Sequence, residues 1–171
     1  GTGSGAQYNQ IYTLGSGSLL LNGLITESSA QTGSGYQQNE VFGNGSGNIT
    51  TKLGIIQSGL YGSAASYNSV STGNSGNVTI GGGVSQQAQY GTGARMNEVS
   101  GFGNAGGNVS ISYGVTQSAS SANHSAWNLI DASGTGHVSI GTISSGIQQI
   151  ASTDGKQDDA KNDVFAEGVG S

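Results

Sequence analysis

Apolar and polar residues alternate along this chain at a period of two, in short bursts. Val78 and Ile80 flank Thr79, Val109 and Ile111 flank Ser110, and Val138 and Ile140 flank Ser139. Such alternation sends neighbouring side chains to opposite faces of a strand. In the run from Val84 to Ala88, residues Val84, Gln86 and Ala88 share one face. No stretch carries apolar residues at i, i+3 and i+4 over three turns, so no helix is expected before residue 150. Between the bursts lie Gly-, Ser- and Asn-rich segments, among them 43–47, 72–76 and 101–107. They read as turns, because Gly and Asn tolerate positive φ.

The bursts recur. The phrase Asn-x-[Val/Ile] starts at Asn9, Asn39, Asn68, Asn97, Asn128 and Asn162, with spacings of 30, 29, 29, 31 and 34 residues. A second phrase follows each at a steady offset: Gly47-Asn48-Ile49-Thr50-Thr51, Gly76-Asn77-Val78-Thr79-Ile80, Gly107-Asn108-Val109-Ser110-Ile111 and Gly136-His137-Val138-Ser139-Ile140, with a weaker Gly17-Ser18-Leu19-Leu20-Leu21 in the first unit. A third phrase closes the unit, as in Gly54-Ile55-Ile56-Gln57, Gly83-Val84-Ser85-Gln86, Gly114-Val115-Thr116-Gln117 and Gly146-Ile147-Gln148-Gln149. One repeat domain spans 1–171, with units near 1–31, 32–61, 62–90, 91–121, 122–153 and an incomplete 154–171.

One unit has too few apolar side chains to bury a core, whereas equal units stacked in register share one. The predicted fold is therefore all-β, a β-solenoid or cross-β-like stack of strand-turn-strand units of about 29–31 residues. Layers would repeat at about 4.8 Å, and six would rise about 29 Å. Stacking places equivalent residues above one another, in one ladder of Asn9, Asn39, Asn68, Asn97, Asn128 and Asn162 and another of Gln57, Gln86, Gln117 and Gln148. Primary amides suit such ladders, since each donates to one neighbour and accepts from the other. A charge there would face its own copy one layer away.

Composition narrows the function. Of 171 residues, 33 are Gly, none is Pro or Cys, and 8% are charged. Proline cannot donate to a strand ladder, so its absence fits a chain that is strand from end to end. Without Cys there is no disulfide scaffold and no thiolate chemistry. No apolar run is long enough for a membrane helix. A net charge of −5 with four Lys and Arg argues against nucleic acid. Six charges precede residue 154 (Glu27, Glu40, Lys52, Arg95, Glu98 and Asp131), and seven crowd into 154–167. That last segment reads as a solvated loop or a charged gatekeeper at one end of the array.

No catalytic, cofactor or metal site stands out, and an enzyme is not expected. His137 takes the slot held by Asn48, Asn77 and Asn108, and His124 lies in a Ser/Ala turn. The 154–167 acids miss the Ca²⁺-loop pattern. Gly-rich pieces such as Gly91-Thr92-Gly93 lack the Lys and helix of a phosphate loop. Glu40 and Glu98 are equivalent by repeat, which marks repetition rather than an acid pair. Tyr8, Tyr36, Tyr61, Tyr67, Tyr90, Tyr113 and Trp127 read as stacking between layers.

These phrases resemble bacterial functional amyloid: the curli subunits, with Gln and Asn at fixed places in strand-turn-strand repeats, and the Fap fibre subunits of pseudomonads, with G-N-[IV]-x-[VI] followed by a Gly and a Gln-rich phrase. The unit here is longer than a curli repeat, and the long linkers and Cys pair of Fap are missing. The resemblance implies a secreted, extracellular structural subunit that assembles with itself into a fibre for biofilm matrix or attachment, served by a secretion or nucleator protein. No leader segment is evident, so such a chain would be the mature part of its precursor. The alternative is a monomeric β-solenoid that binds ice or carbohydrate, with Thr50, Thr79, Ser110 and Ser139 as its rank. For the fibre, a head-to-tail joint is expected between Asn162, Val164 and Phe165 at one end and Ile11, Leu19 and Leu21 at the other.

Overall fold

A computed structural model describes residues 4–30, 33–101, 106–141, 146–153 and 159–168. The chain is all-β and coils into a parallel solenoid with three strands per turn. The first turn holds β1 (Gln7–Thr13), β2 (Leu19–Leu21) and β3 (Ile25–Ala30), and the second β4 (Gln37–Gly43), β5 (Ile49–Thr51) and β6 (Ile55–Leu60). The third holds β7 (Ser66–Thr72), β8 (Val78–Ile80) and β9 (Val84–Gly91), and the fourth β10 (Arg95–Gly101), β11 (Asn108–Ile111) and β12 (Val115–Ser121). The fifth holds β13 (Ala126–Gly134), β14 (His137–Ile140) and β15 (Ile147–Thr153), and β16 (Ala160–Gly168) starts a sixth layer. The three phrases of the repeat are these three strands.

Like strands pair with like. Sheet A runs β1-β4-β7-β10-β13-β16, sheet B β2-β5-β8-β11-β14, and sheet C β3-β6-β9-β12-β15. Registers keep the repeat aligned: Asn39 opposes Asn68, Val109 opposes Val78, and Gln57 opposes Gln86. A slip by one residue would turn every buried side chain outward, so the alternation itself enforces this register.

The interior is divided. Sheet B, with the adjoining positions of the other two sheets, encloses an apolar column of Val41, Val70, Val99, Ile49, Val78, Val109, Ile80, Ile55, Val84 and Val115. Toward the corner between sheets C and A the filling is polar: Asn39, Asn68, Asn97, Gln57, Gln86 and Gln117 are all buried. The glycines of the A-to-B turn stack in a column of their own. A Cβ on Gly47 would lie 1.9 Å from the Gly17 carbonyl oxygen, and one on Gly107 would lie 1.8 Å from that of Asn74. Layers at strand spacing leave no room for a side chain there, which accounts for much of the Gly content.

Candidate interaction surfaces: the amide ladders and their ends

The two buried ladders are hydrogen-bonded rows. Asn9 donates to Asn39 at 2.7 Å, and Asn39 to Asn68, Asn68 to Asn97, Asn97 to Asn128 and Asn128 to Asn162, each at 2.8 Å. The second amide proton crosses to sheet C, from Asn68 to the Gln87 carbonyl and from Asn97 to the Ser118 carbonyl, both at 2.8 Å. The Gln row answers from the other side. Gln86 donates to Gln57 and Gln117 to Gln86, both at 2.8 Å, while their second protons reach the Glu98 and Leu129 carbonyls of sheet A. Each interior amide thereby fills both donors and its acceptor, which removes the penalty for burying it.

The rows point in opposite directions. Asn side chains donate toward the C-terminal layers, and Gln side chains donate toward the N-terminal ones.

Two rungs differ from expectation. Gln148 does not belong to the ladder: it opposes Thr116 and is exposed, while Gln149 opposes Gln117 and donates to it at 2.8 Å. The reason is the period of two. Ile147 opposes the inward Val115, so the next inward position is 149. At the other end of the row Glu27 opposes Gln57 and accepts from it at 2.7 Å, so a carboxyl forms the first rung. Burial pushes the Glu27 carboxyl up to about 7; the Gln57 hydrogen bond works against this shift and the charge of Glu40 adds to it.

Other charges are buried where sequence reasoning saw none. Arg95, 1% exposed, stands in a column between Ser66 and Ala126, whose small side chains leave it space. Its guanidinium donates to the carbonyls of Tyr61 at 2.6 Å, Gly62 at 2.7 Å and Ala64 at 3.1 Å. Those carbonyls belong to a corner that turns through left-handed backbone at Tyr61 (φ 66°) and Gly62 (φ 81°). Desolvation lowers the Arg95 pKa to about 10, so it remains a cation at neutral pH. Glu98 is buried on the outer side of sheet A and accepts from the Tyr67 hydroxyl. Glu40 lies in the same column with Ser69 between them, and it accepts from Gln10 at 2.9 Å.

A third amide row was hidden in the second phrase. Asn77 donates to Asn48 at 3.1 Å and Asn108 to Asn77 at 3.0 Å, along the surface of the A-to-B turn. His137 continues it through its backbone N–H, 3.0 Å from Asn108 Oδ1. His124 lies a turn earlier, its backbone N–H on Ser121 Oγ, so the histidines belong to separate elements. Thr50, Thr79, Ser110 and Ser139 do align on sheet B, in one column with Leu20 at its foot. Tyr61 stacks on Tyr90 across layers at 5.7 Å, and Tyr8 meets Tyr36 at 6.1 Å with the rings tilted by 46°.

The predicted joint residues occupy opposite ends. Ile11 lies on β1 and Leu19 and Leu21 on β2, whereas Asn162 and Val164 lie on β16. Phe165 is on β16 too, with its side chain outside the described residues. Inward positions that are closed in the middle are open here: Leu19 is 36% and Val164 58% exposed, against 0% for their counterparts Ile49 and Val99.

The fold and its core define a class, the parallel β-solenoid with hydrogen-bonded amide rows inside. Comparison of the chain with protein-family models, with curated proteins and with solved structures finds no match.

Proposed function

We propose that the chain is a structural subunit that stacks head to tail through its end layers into a β-rich extracellular fibre. The carrying observation is the complementarity of the Asn row at its two ends. Asn9 spends its amide protons on Asn39 and on the Ser28 carbonyl, leaving its Oδ1 as an acceptor. Asn162 accepts from Asn128, leaving its amide protons as donors. A copy seated with its β1 on β16 therefore continues the row, and the strand edges pair by β-augmentation. Such a contact is heterologous and does not close, so it propagates.

Further features of the first layer support the same reading. A methyl group on Gly15 or Gly17 would have nothing within 4 Å, whereas one on their counterparts Gly45 and Gly47 would strike the layer beneath at 2.3 and 1.9 Å. Gly15 and Gly17 are glycines where only a further layer requires glycine. Placement outside the cell, and the service of a secretion or nucleator protein, rest on the likeness to curli and Fap phrases.

The seat is stepped. Sheet A reaches a sixth strand while sheets B and C have five among the described residues. A seated copy would meet β16 first.

The test combines sedimentation with negative-stain imaging of the 171-residue chain over a concentration series. Filaments whose growth slows on deletion of residues 162–171 are expected. Monodisperse particles at every concentration refute stacking, and undiminished growth of the deletion variant removes β16 from the joint.

A further inference from the structure

We infer that the slot beside the open face of Tyr90 binds a pyranose ring, which stacks on the tyrosine as the next rung of its row. The site is independent of the stacking of copies, since it lies between the third and fourth layers with described layers on both sides.

Backbone conformation marks the place. Among the described residues two that are not glycine have positive φ, Tyr61 at 66° and Tyr90 at 60°. That region is unfavourable for a bulky side chain, whereas glycine enters it freely. Each tyrosine precedes a glycine, in Tyr61-Gly62 and Tyr90-Gly91, and the chain has 33 glycines. A sequence so rich in glycine keeps tyrosine in left-handed backbone where the ring itself has a use. One use is the stack, with ring centroids 5.7 Å apart and planes at 29°. Tyr61 donates its backbone N–H to the Gln89 carbonyl of the next layer, so the two rings follow one another along the solenoid. This covers one face of Tyr90. The other face is turned toward the fourth layer, and the residue is 64% exposed.

The row of rings stops there. Strand β9 pairs with β12 in register as far as Ala88 opposite Ala119, and pairing resumes with Gly91 opposite Ser121. Gln89 and Tyr90 therefore stand against Ser120 alone, which is a bulge, a device that re-aims a side chain. Gln89 is tied across to the Ser118 hydroxyl, and Tyr90 is left over small side chains. Between them lies an open cavity of about 230 Å³, lined by Tyr90, Gly91, Thr92, Ser120 and Ala122. Arg95 stiffens this corner. Its guanidinium holds the Tyr61 and Gly62 carbonyls, and it lies so close under Gly91 that a Cβ there would strike Nη2. The slot is thus formed before any ligand arrives, which lowers the cost of binding.

Its chemistry selects the occupant. The wall is a flat aromatic face, and the Thr92 and Ser120 hydroxyls on the rim have no hydrogen-bond partner among the described residues. The matching ligand has one flat apolar face and hydroxyls around its edge. A pyranose has both: its axial C–H bonds lie against the negative face of the tyrosine ring, and its hydroxyls reach Ser120 and Thr92. A nucleobase would bring phosphate to a chain of net charge −5. An aromatic side chain of a partner would stack as well but would give the two rim hydroxyls nothing to bond.

The experiment is saturation-transfer NMR of the 171-residue chain with the methyl glycosides of glucose, galactose, mannose and N-acetylglucosamine. Saturation of the tyrosine rings should reach the protons on one face of a sugar, with a dissociation constant of about 1–10 mM for so small a ligand. Tyr90→Phe should bind as the natural chain does, and Tyr90→Ala about tenfold more weakly or worse. Ser120→Tyr fills the slot from within and should abolish binding with an unchanged far-UV circular dichroism spectrum. Tyr113→Ala, which removes an exposed ring at the corner between sheets B and C, should bind normally. Binding that survives both Tyr90→Ala and Ser120→Tyr, or falls equally in Tyr113→Ala, overturns the inference. So does the absence of binding by all four glycosides up to about 50 mM. Binding of N-acetyltyrosine amide but of no glycoside assigns the slot to a partner's aromatic side chain and overturns it too. None of these readouts requires assembly, so their failure leaves the stacking reading intact.

Discussion

Replacing Asn68 by Asp exchanges one amide nitrogen for oxygen and probes the ladder directly. Asn68 is 0% exposed; it donates to Asn97 Oδ1 and the Gln87 carbonyl at 2.8 Å each and accepts from Asn39 at 2.8 Å. Aspartate keeps the acceptor and loses both donors. Two buried acceptors are then left bare, each at a cost of about 1–3 kcal/mol. A charge in this interior adds several kcal/mol more, so the carboxyl takes up a proton instead and its pKa rises. The neutral acid recovers one donor. We expect Asn68→Asp to lose about 3–6 kcal/mol at pH 7 and roughly half that at pH 4, against a typical total of about 5–15 kcal/mol. The sign follows from linkage: a folded pKa above the unfolded value means that stability falls as pH rises between the two. Asn162→Asp is the control. Asn162 is exposed and acts as an acceptor from Asn128, a role Asp retains, so its cost should stay below about 1 kcal/mol. Urea midpoints by far-UV circular dichroism at pH 4, 5.5 and 7 measure both. Equal losses for the two variants, or a pH-independent loss for Asn68→Asp, would refute the buried, directional ladder.

Glu27 gives the unassembled chain its own pH dependence. With its pKa raised from 4.5 to about 7, stability should fall as pH rises through that window, by up to about 3 kcal/mol, and denaturation of Glu27→Gln should lose this dependence. Arg95→Ala strips the donors from three corner carbonyls; a loss of about 3–5 kcal/mol is expected, partly restored in Arg95→Lys, and a loss under about 1 kcal/mol would refute the role. Gly47→Ala forces a methyl against the Gly17 carbonyl and should lower the thermal midpoint strongly, while Gly17→Ala meets nothing within the subunit and should leave that midpoint unchanged yet slow fibre growth.

How far the sequence foretold this arrangement depended on whether a feature repeats. The stacked repeat was legible because Asn-x-Val, Gly-Asn-Val-x-Ile and Gly-Val-x-Gln each recur in register, although the number of strands per turn was not. The Asn row followed at once, since every copy has Asn at the first position. Gln148 was misassigned because Gln148-Gln149 offers two amides in sequence, and only the inward alternation from Ile147 chooses between them. The burial of Glu27 and Arg95 escaped notice because each breaks its column instead of repeating it. The alternation would have placed Glu27 in line with Gln57 and Gln86. Nothing local, however, reveals that Arg95 finds its partners in the carbonyls of Tyr61, Gly62 and Ala64, some thirty residues earlier.

Direction is what turns a stack of equal layers into a subunit with two different ends. In a single ladder of amides every rung is alike, but the row as a whole has a donor end and an acceptor end. Among the described residues Asn9 and Asn162 end the row, and on the proposed stacking two copies meeting by their N-terminal faces would set acceptor against acceptor at Asn9. Two C-terminal faces would oppose the donors of Asn162. Only the mixed seat satisfies the Asn row, and it is the seat in which parallel strand edges also continue in register. The Gln row runs the other way and begins at the Glu27 carboxyl. In the proposed fibre, growth polarity would follow from these directed amide rows packed side by side.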